Sequence, residues 1–275
     1  MTRLLKANFA RLWMSKSLWV CVIAAVALSF INGYVVAVAN SDWVYKTGSF
    51  ITSQVGTGAL VVASFFTPLY LGAEYAHGTI RNKLAAGHSR TNCYFASLIP
   101  VTSGTLLILT AYCAPLVVMS IIRGNELGME ARDFCMRILI IVAVAIAESS
   151  CFTLLGMLIT SRFITVAITF ALTFVLFQGS FVLVNLLEQT EYTSKYIATE
   201  SGVIKTEPQP NPAYIKEGAL RNILTAVTDV LPNGQMVRLG ANQLNNPELY
   251  PLYSVGVLAV TTAAGMLIFR RKDLK

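Results

Sequence analysis

Hydrophobic and polar positions in this chain are arranged in blocks. Six long apolar blocks, at about 17–41, 51–73, 95–122, 138–160, 163–187 and 249–269, are separated by shorter polar connections. Each is about as long as the roughly 20 residues a helix needs to cross the hydrocarbon core of a bilayer. Five of the blocks carry no charged residue, and 138–160 is broken only by Glu148. Pro100 and Pro115 interrupt the third block. A spanning helix accommodates such prolines as kinks when neighbouring helices satisfy the freed backbone groups. The pattern predicts an all-α polytopic membrane protein, one transmembrane domain over 1–275 with six transmembrane helices. An even number of crossings places both termini on the same side.

Shorter periodic segments flank the blocks. Leu4, Leu5, Phe9, Leu12 and Trp13 fall near helical spacing while Arg3, Lys6 and Arg11 form a basic face, which predicts an interfacial helix over 1–16. A frayed basic tail is one alternative. A secretory leader is another, because Ala37-Val38-Ala39 fits a small-residue cleavage pattern. The apolar block is too long for a leader and favours an uncleaved span. Between the second and third blocks, Ile80 and Leu84 are four apart and share a helical face, Arg81 and Lys83 point elsewhere, and Gly78 and Gly87 bracket the run. That spacing predicts a short amphipathic helix lying against the membrane or a partner. Residues 188–248 form the longest connection, with a hinge at Pro208-Gln209-Pro210-Asn211-Pro212. After it, Tyr214, Ala219, Leu220, Ile223, Leu224, Val227 and Val230 recur at helical intervals and predict a helix from Ala213 to Leu231, stopped by Pro232-Asn233-Gly234. The apolar stripe of that helix must be covered by the outer membrane surface, the ends of the spans or a second copy of the chain.

Composition agrees with the block pattern. At 55% hydrophobic and 13% charged, the chain has too little polar surface to coat a soluble globule of its size. A net charge of +7 could indicate nucleic acid. The cations, however, cluster at the ends of apolar runs, which suits anionic lipid and membrane topology instead. Arg3, Lys6, Arg11, Lys16, Arg81, Lys83, Arg90, Arg162, Arg270, Arg271, Lys272 and Lys275 all fall on one side of the six crossings, against only Glu74 and Asp273. The connections at 42–46 and 123–137 are balanced, and 188–248 holds more acids than cations. By the positive-inside rule both termini and the 74–90 loop are cytoplasmic, and 188–248 is extracytoplasmic. The reading is a multi-pass plasma-membrane protein, with the bilayer rather than nucleic acid as its surroundings.

Candidate chemistry is sparse. There is no G-x-x-x-x-G-K-[ST] phosphate loop, no H-E-x-x-H and no C-x-x-C. The five cysteines are scattered singly, which suggests neither a disulfide framework nor a metal site. His77 and His88 both lie in the 74–90 loop and read as solvated residues, so a Ser-His-Asp arrangement on the outer side is excluded. Glu148 is the ionisable residue deep inside a span, eleven residues past Arg137. At about 1.5 Å of rise per residue it lies about 16 Å in, near the middle of a roughly 30 Å core. A charged carboxylate there is costly and calls for a polar partner. It reads either as a carboxyl that holds helices together, aided by Ser149 and Ser150, or as a residue lining a translocation path. Asn32 and Gln178, polar residues in other spans, are candidate partners. Catalysis by a carboxyl pair needs two such groups, so no catalytic residue is assigned and the chain does not read as an enzyme.

The run Glu74-Tyr75-Ala76-His77-Gly78-Thr79-Ile80-Arg81, followed by Gly87-His88-Ser89-Arg90, resembles the cytoplasmic loop of ABC transporter permeases of the second export type. Six spans, a long outer segment containing Leu231-Pro232-Asn233-Gly234-Gln235, and the closing Phe269-Arg270-Arg271-Lys272-Asp273-Leu274 are similar as well. The resemblance implies a permease subunit that pairs with a second permease copy and with separate ABC ATPase subunits. ATP would be hydrolysed on the partner, with no cofactor bound by this chain. It further implies that the 74–90 loop is a coupling helix, with Glu74, Gly78, Thr79, Ile80, Arg81, Leu84 and Arg90 at the ATPase contact. The bland alternative is a loop that merely caps two helices. The expected activity is export of a peptide, antibiotic or lipid-like amphipathic cargo. The alternative is a membrane sensor or immunity protein that binds a peptide or antibiotic without moving it. A secondary transporter would show more intramembrane charge or an inverted repeat.

Overall fold

Every apolar block forms a long helix, because a backbone in an apolar setting must satisfy its own hydrogen bonds. The computed structural model describes residues 1–39, 47–122, 128–194, 196–199, 202–205 and 207–272. In order, α1 spans Thr2–Met14, α2 Lys16–Ala39, α3 Thr47–Ala76, α4 Thr79–Ala85, α5 Arg90–Ile122, α6 Ala131–Leu158 and α7 Arg162–Leu187. Beyond these lie α8 Ala219–Val230, α9 Pro232–Gly240, a 3-10 turn at Pro247–Leu249, and α10 Tyr250–Arg271. Six of the helices are long and apolar enough to cross a membrane: α2, α3, α5, α6, α7 and, with the turn before it, α10. Leucine, isoleucine, valine and phenylalanine remain exposed along α2, α7 and α10, as expected of faces turned to lipid.

α3 is the centre of the bundle. Nearly three quarters of its most apolar stretch (72%) is buried, against 22% for α2, 17% for α7 and 22% for α10. It packs on α2, α5, α6, α7 and α9, while α10 lies chiefly along α6. Small residues permit the close approaches. A Cβ on Gly156 of α6 would lie 2.7 Å from Leu71 of α3, and one on Gly265 of α10 would lie 2.2 Å from the Tyr94 hydroxyl.

At Pro68 and Pro100 the freed carbonyl is satisfied from a neighbouring helix. Pro68 cannot donate to Ser64, four residues earlier, and the Thr169 hydroxyl of α7 lies 3.0 Å from that carbonyl. Pro100 frees the carbonyl of Ala96, which accepts from the Asn8 side-chain amide of α1. Beside Pro115, Ser29 of α2 donates to the Tyr112 carbonyl at 2.6 Å. Pro68 and Pro100 thereby tie their helices to a neighbour.

The 188–248 segment departs from expectation in three ways. It contains short antiparallel ladders, β1 (Tyr192–Thr193) with β4 (Gln209–Pro210) and β2 (Tyr196–Thr199) with β3 (Gly202–Lys205). The helix predicted from Ala213 begins only at Ala219. The Asn211 side chain accepts from the Ala213 N–H at 3.0 Å, and Arg221 donates to the carbonyls of Ile215 (2.8 Å) and Leu187 (2.6 Å), which holds the preceding stretch in a non-helical path. Pro232 does stop α8, whose last residue is Val230, but it is also the first residue of a further helix, α9, a position where its missing N–H costs nothing. Gly234 allows α9 to fold tightly onto α8, since a Cβ there would lie 2.1 Å from the Thr228 carbonyl oxygen.

α8 is inside out by the standards of a soluble helix. Leu220, Ile223, Val227 and Val230 are exposed, and the polar side is the one that is packed. Arg238 of α9 pairs with Asp229 at 2.7 Å and donates to the Thr228 hydroxyl at 2.8 and 3.1 Å. Tyr250 donates to Asp229 at 3.0 Å. Burial raises the pKa of the Asp229 carboxyl, against the opposing pull of Arg238 and Tyr250.

Candidate functional site

The charged and aromatic groups of α1, α3, α5 and the end of α10 meet at one end of the bundle, around α4. α3 stops at Ala76 because Gly78 adopts a left-handed φ of 64°, and the Gly78 N–H bonds back to the Tyr75 carbonyl at 3.0 Å. The same glycine is the N-cap of α4. Gly87, with φ of 85°, ends α4 in the same manner, its N–H on the Leu84 carbonyl at 3.0 Å. α4 is therefore a separate short helix set between two turns that favour glycine.

Its inner face is fixed by packing and charge. Ile80 is 2% exposed, and Leu84 packs against the same core. Lys83, expected to point away, reaches inward to Glu74 Oε1 at 2.7 Å, because Glu74 is completely buried and must be paired. Arg11 of α1 makes an ion contact with the same oxygen without the alignment of a hydrogen bond. Ser97 of α5 donates to Oε2 at 3.2 Å, and Thr79 donates to the Glu74 backbone carbonyl at 3.0 Å. Arg11 also lies 4.4 Å above the Tyr70 ring, whose hydroxyl donates to the Asn8 carbonyl at 3.0 Å. One carboxylate thus joins α1, α3, α4 and α5.

The helix ends nearby are closed by cations. Arg90 donates to the Phe269 carbonyl at 3.0 Å and to that of Lys272, covering carbonyls that α10 leaves unpaired at its C-terminus. Lys272 donates to the Met157 carbonyl at 2.8 Å and sits 4.5 Å from the centre of the Tyr75 ring. Partial burial lowers its pKa below the ordinary lysine value. α1, α4 and the C-terminal end of α10 consequently share one end of the molecule.

The seven residues singled out around α4 therefore have different placements. Glu74 and Ile80 face the interior, Arg90 caps α10, and Gly78 and Thr79 shape the turn. Leu84 is half-buried, and Arg81 is the one fully on the surface. Asn82, Ala85, Ala86 and His77 are exposed beside it. Comparison with known proteins returned no matching family model and no matching curated protein.

The second group of residues lies within the bundle. Glu148 of α6 is 4% exposed, and its Oε2 has no hydrogen-bond partner. Asn32 donates instead to the Tyr112 hydroxyl at 2.6 Å, and Gln178 is exposed on α7. The adjacent serines do the cross-linking: Ser149 lies 2.9 Å from the Thr102 hydroxyl of α5, and Ser150 lies 2.6 Å from the Thr261 hydroxyl of α10. Among the described residues there is no cluster of three metal-ligating side chains.

Sequence reasoning missed Asn8, Arg11, Tyr70, Lys83, Ser97 and Lys272 as parts of the α4 end. A signal existed for Asn8, which sits between Leu4 and Leu12 on the stripe that becomes buried. The partners of Glu74 come from three other helices, and no local spacing announces them.

Proposed function

We propose that this chain is the permease subunit of an ABC transporter of the second export type. α4 is its coupling helix, the α4 end faces the cytosol, and a separate ATPase subunit docks there. The observation that carries the reading is the two-faced construction of α4. Its inner face is anchored by Ile80 and the Glu74–Lys83 pair, and its outer face, with Arg81, Asn82 and Ala85, is open. A short helix held this way transmits a push from outside to α1, α3 and α5 together through Glu74. The basic character of this end supports the cytosolic assignment. The chain's lack of a phosphate loop requires the energy to come from another subunit. In this role Arg81 and its exposed neighbours touch the ATPase, while Glu74, Gly78, Thr79, Ile80, Leu84 and Arg90 position the helix that does so. A second permease copy completes the path, and a peptide, antibiotic or lipid-like amphipathic molecule is the cargo.

The test is co-purification from membranes with a nucleotide-hydrolysing subunit. Arg81→Glu with Ala85→Asp should abolish co-purification while the permease still inserts and melts as wild type does. Undiminished recovery of the ATPase with that double variant, or ATP-independent function of the wild type, would overturn the reading.

A further inference from the structure

We propose that the groove between α5 and α10 holds an acyl chain of an anionic phospholipid whose headgroup rests on Arg270 and Arg271. The proposal stands apart from the transporter reading and needs no partner subunit. The groove has a volume of about 580 Å³ and an almost wholly apolar lining, with Phe95 and Ile99 on one wall, Leu258 and Met266 on the other and Ile146 contributed by α6. Ala259 and Ala263, both exposed, are the small residues on α10 that open it. It extends along α10 from Val255 to Met266, about 16 Å at the helical rise. One leaflet of a roughly 30 Å hydrocarbon core is about 15 Å deep, so the groove is long enough to take one acyl chain.

Charge identifies the occupant. Phe95 and Met266, at the lower end of the groove, lie one helical turn above Thr91 and Arg270 respectively. Arg270 donates from Nε and Nη2 to the Thr91 hydroxyl at 3.2 and 3.1 Å, so its guanidinium bridges the two helices at the groove's mouth. Arg271 is exposed beside it. Among the described residues of this end, the only carboxylate is that of Glu74, and it is sealed inside. An anionic headgroup there meets two cations and, among the described residues, no exposed opposing charge. Two juxtamembrane cations favour an anionic over a zwitterionic headgroup by about tenfold or more. Chain length and headgroup charge thus agree on a phospholipid of the leaflet at the basic end.

The experiment is native mass spectrometry of the detergent-purified chain with added phosphatidylglycerol or phosphatidylcholine of equal acyl length. The expected result is one phosphatidylglycerol retained per chain, with phosphatidylcholine at least about tenfold weaker. Arg270→Gln with Arg271→Gln should bring phosphatidylglycerol down to the phosphatidylcholine level. Ala263→Trp, an exposed position that can accept the ring, should weaken both lipids about tenfold, and Ile99→Trp provides an independent block from the opposite wall. Equal retention of the two lipids by the wild type would overturn the proposal, as would retention unaffected by either tryptophan in a protein of unchanged helicity. A disulfide formed between two copies of an Ala263→Cys variant in membranes would assign the groove to a second chain and would overturn it too.

Discussion

Replacing Glu74 tests how α4 is held. Glu74→Gln keeps the shape and the hydrogen bond from Ser97 but removes the charge that pairs Arg11 and Lys83. Lys83 is 10% exposed and Arg11 30%, so the lysine is left nearly unpaired in a dry setting while the arginine regains some water. Removing one member of a buried ion pair costs about 3–5 kcal/mol, and partial hydration of Arg11 puts the expectation near 3 kcal/mol. At roughly 2–4 °C per kcal/mol this is a fall of about 6–12 °C in melting temperature. Lys83→Met should cost less, because Arg11 still neutralises Glu74. In the double variant the two losses should fall short of additivity by about 1–3 kcal/mol, since one removes the partner the other has lost. The assay is thermal unfolding of all three variants in one detergent, read by circular dichroism. Strict additivity, or a Glu74→Gln protein melting within about 2 °C of wild type, would refute the claim that this carboxylate joins four helices.

Three further outcomes follow from the packing. Asn8→Ala leaves the Ala96 carbonyl, freed by Pro100, without its donor and should destabilise by about 1–3 kcal/mol, measured by the same melting experiment. Gly265→Ala places a methyl group against Tyr94 between α5 and α10 and should cost about 1–3 kcal/mol, whereas Gly256→Ala, whose Cβ meets nothing, should not destabilise. Ile223→Trp on the outward stripe of α8 should be quenched by brominated lipid in vesicles; fluorescence indifferent to bromine would place that stripe away from the acyl chains.

The six long helices were readable because spanning imposes one rule on every block, and length and apolarity are local properties. α4 was readable for the same reason: Gly78, Ile80, Leu84 and Gly87 lie within ten positions of one another and specify a short helix with a turn at each end. What escaped is what depends on distant pairing. Lys83 turns inward because a carboxylate nine residues earlier is buried, and that burial is decided by α1 and α5. Arg11 reads as part of the basic face of an interfacial helix, yet the buried charge of Glu74 recruits it. α9 escaped because the same Pro232 ring that ends α8 is well suited to begin the next helix. α8 followed its periodicity once started, but the late start reflects the arginine and asparagine contacts of its approach rather than any hydrophobic signal.

The central claim is that the outer face of α4 looks into the cytosol, and its most direct test is cysteine accessibility in intact cells. The native Cys135 is exposed near Arg132 and Asp133, at the end away from α4, and serves as the internal reference. A membrane-impermeant thiol reagent should label Cys135 in intact cells, and should label an Ala85→Cys variant made in a Cys135→Ser background only after permeabilisation. Labelling of Ala85→Cys in intact cells, with Cys135 protected until permeabilisation, would invert the topology and remove any ATPase from reach of α4.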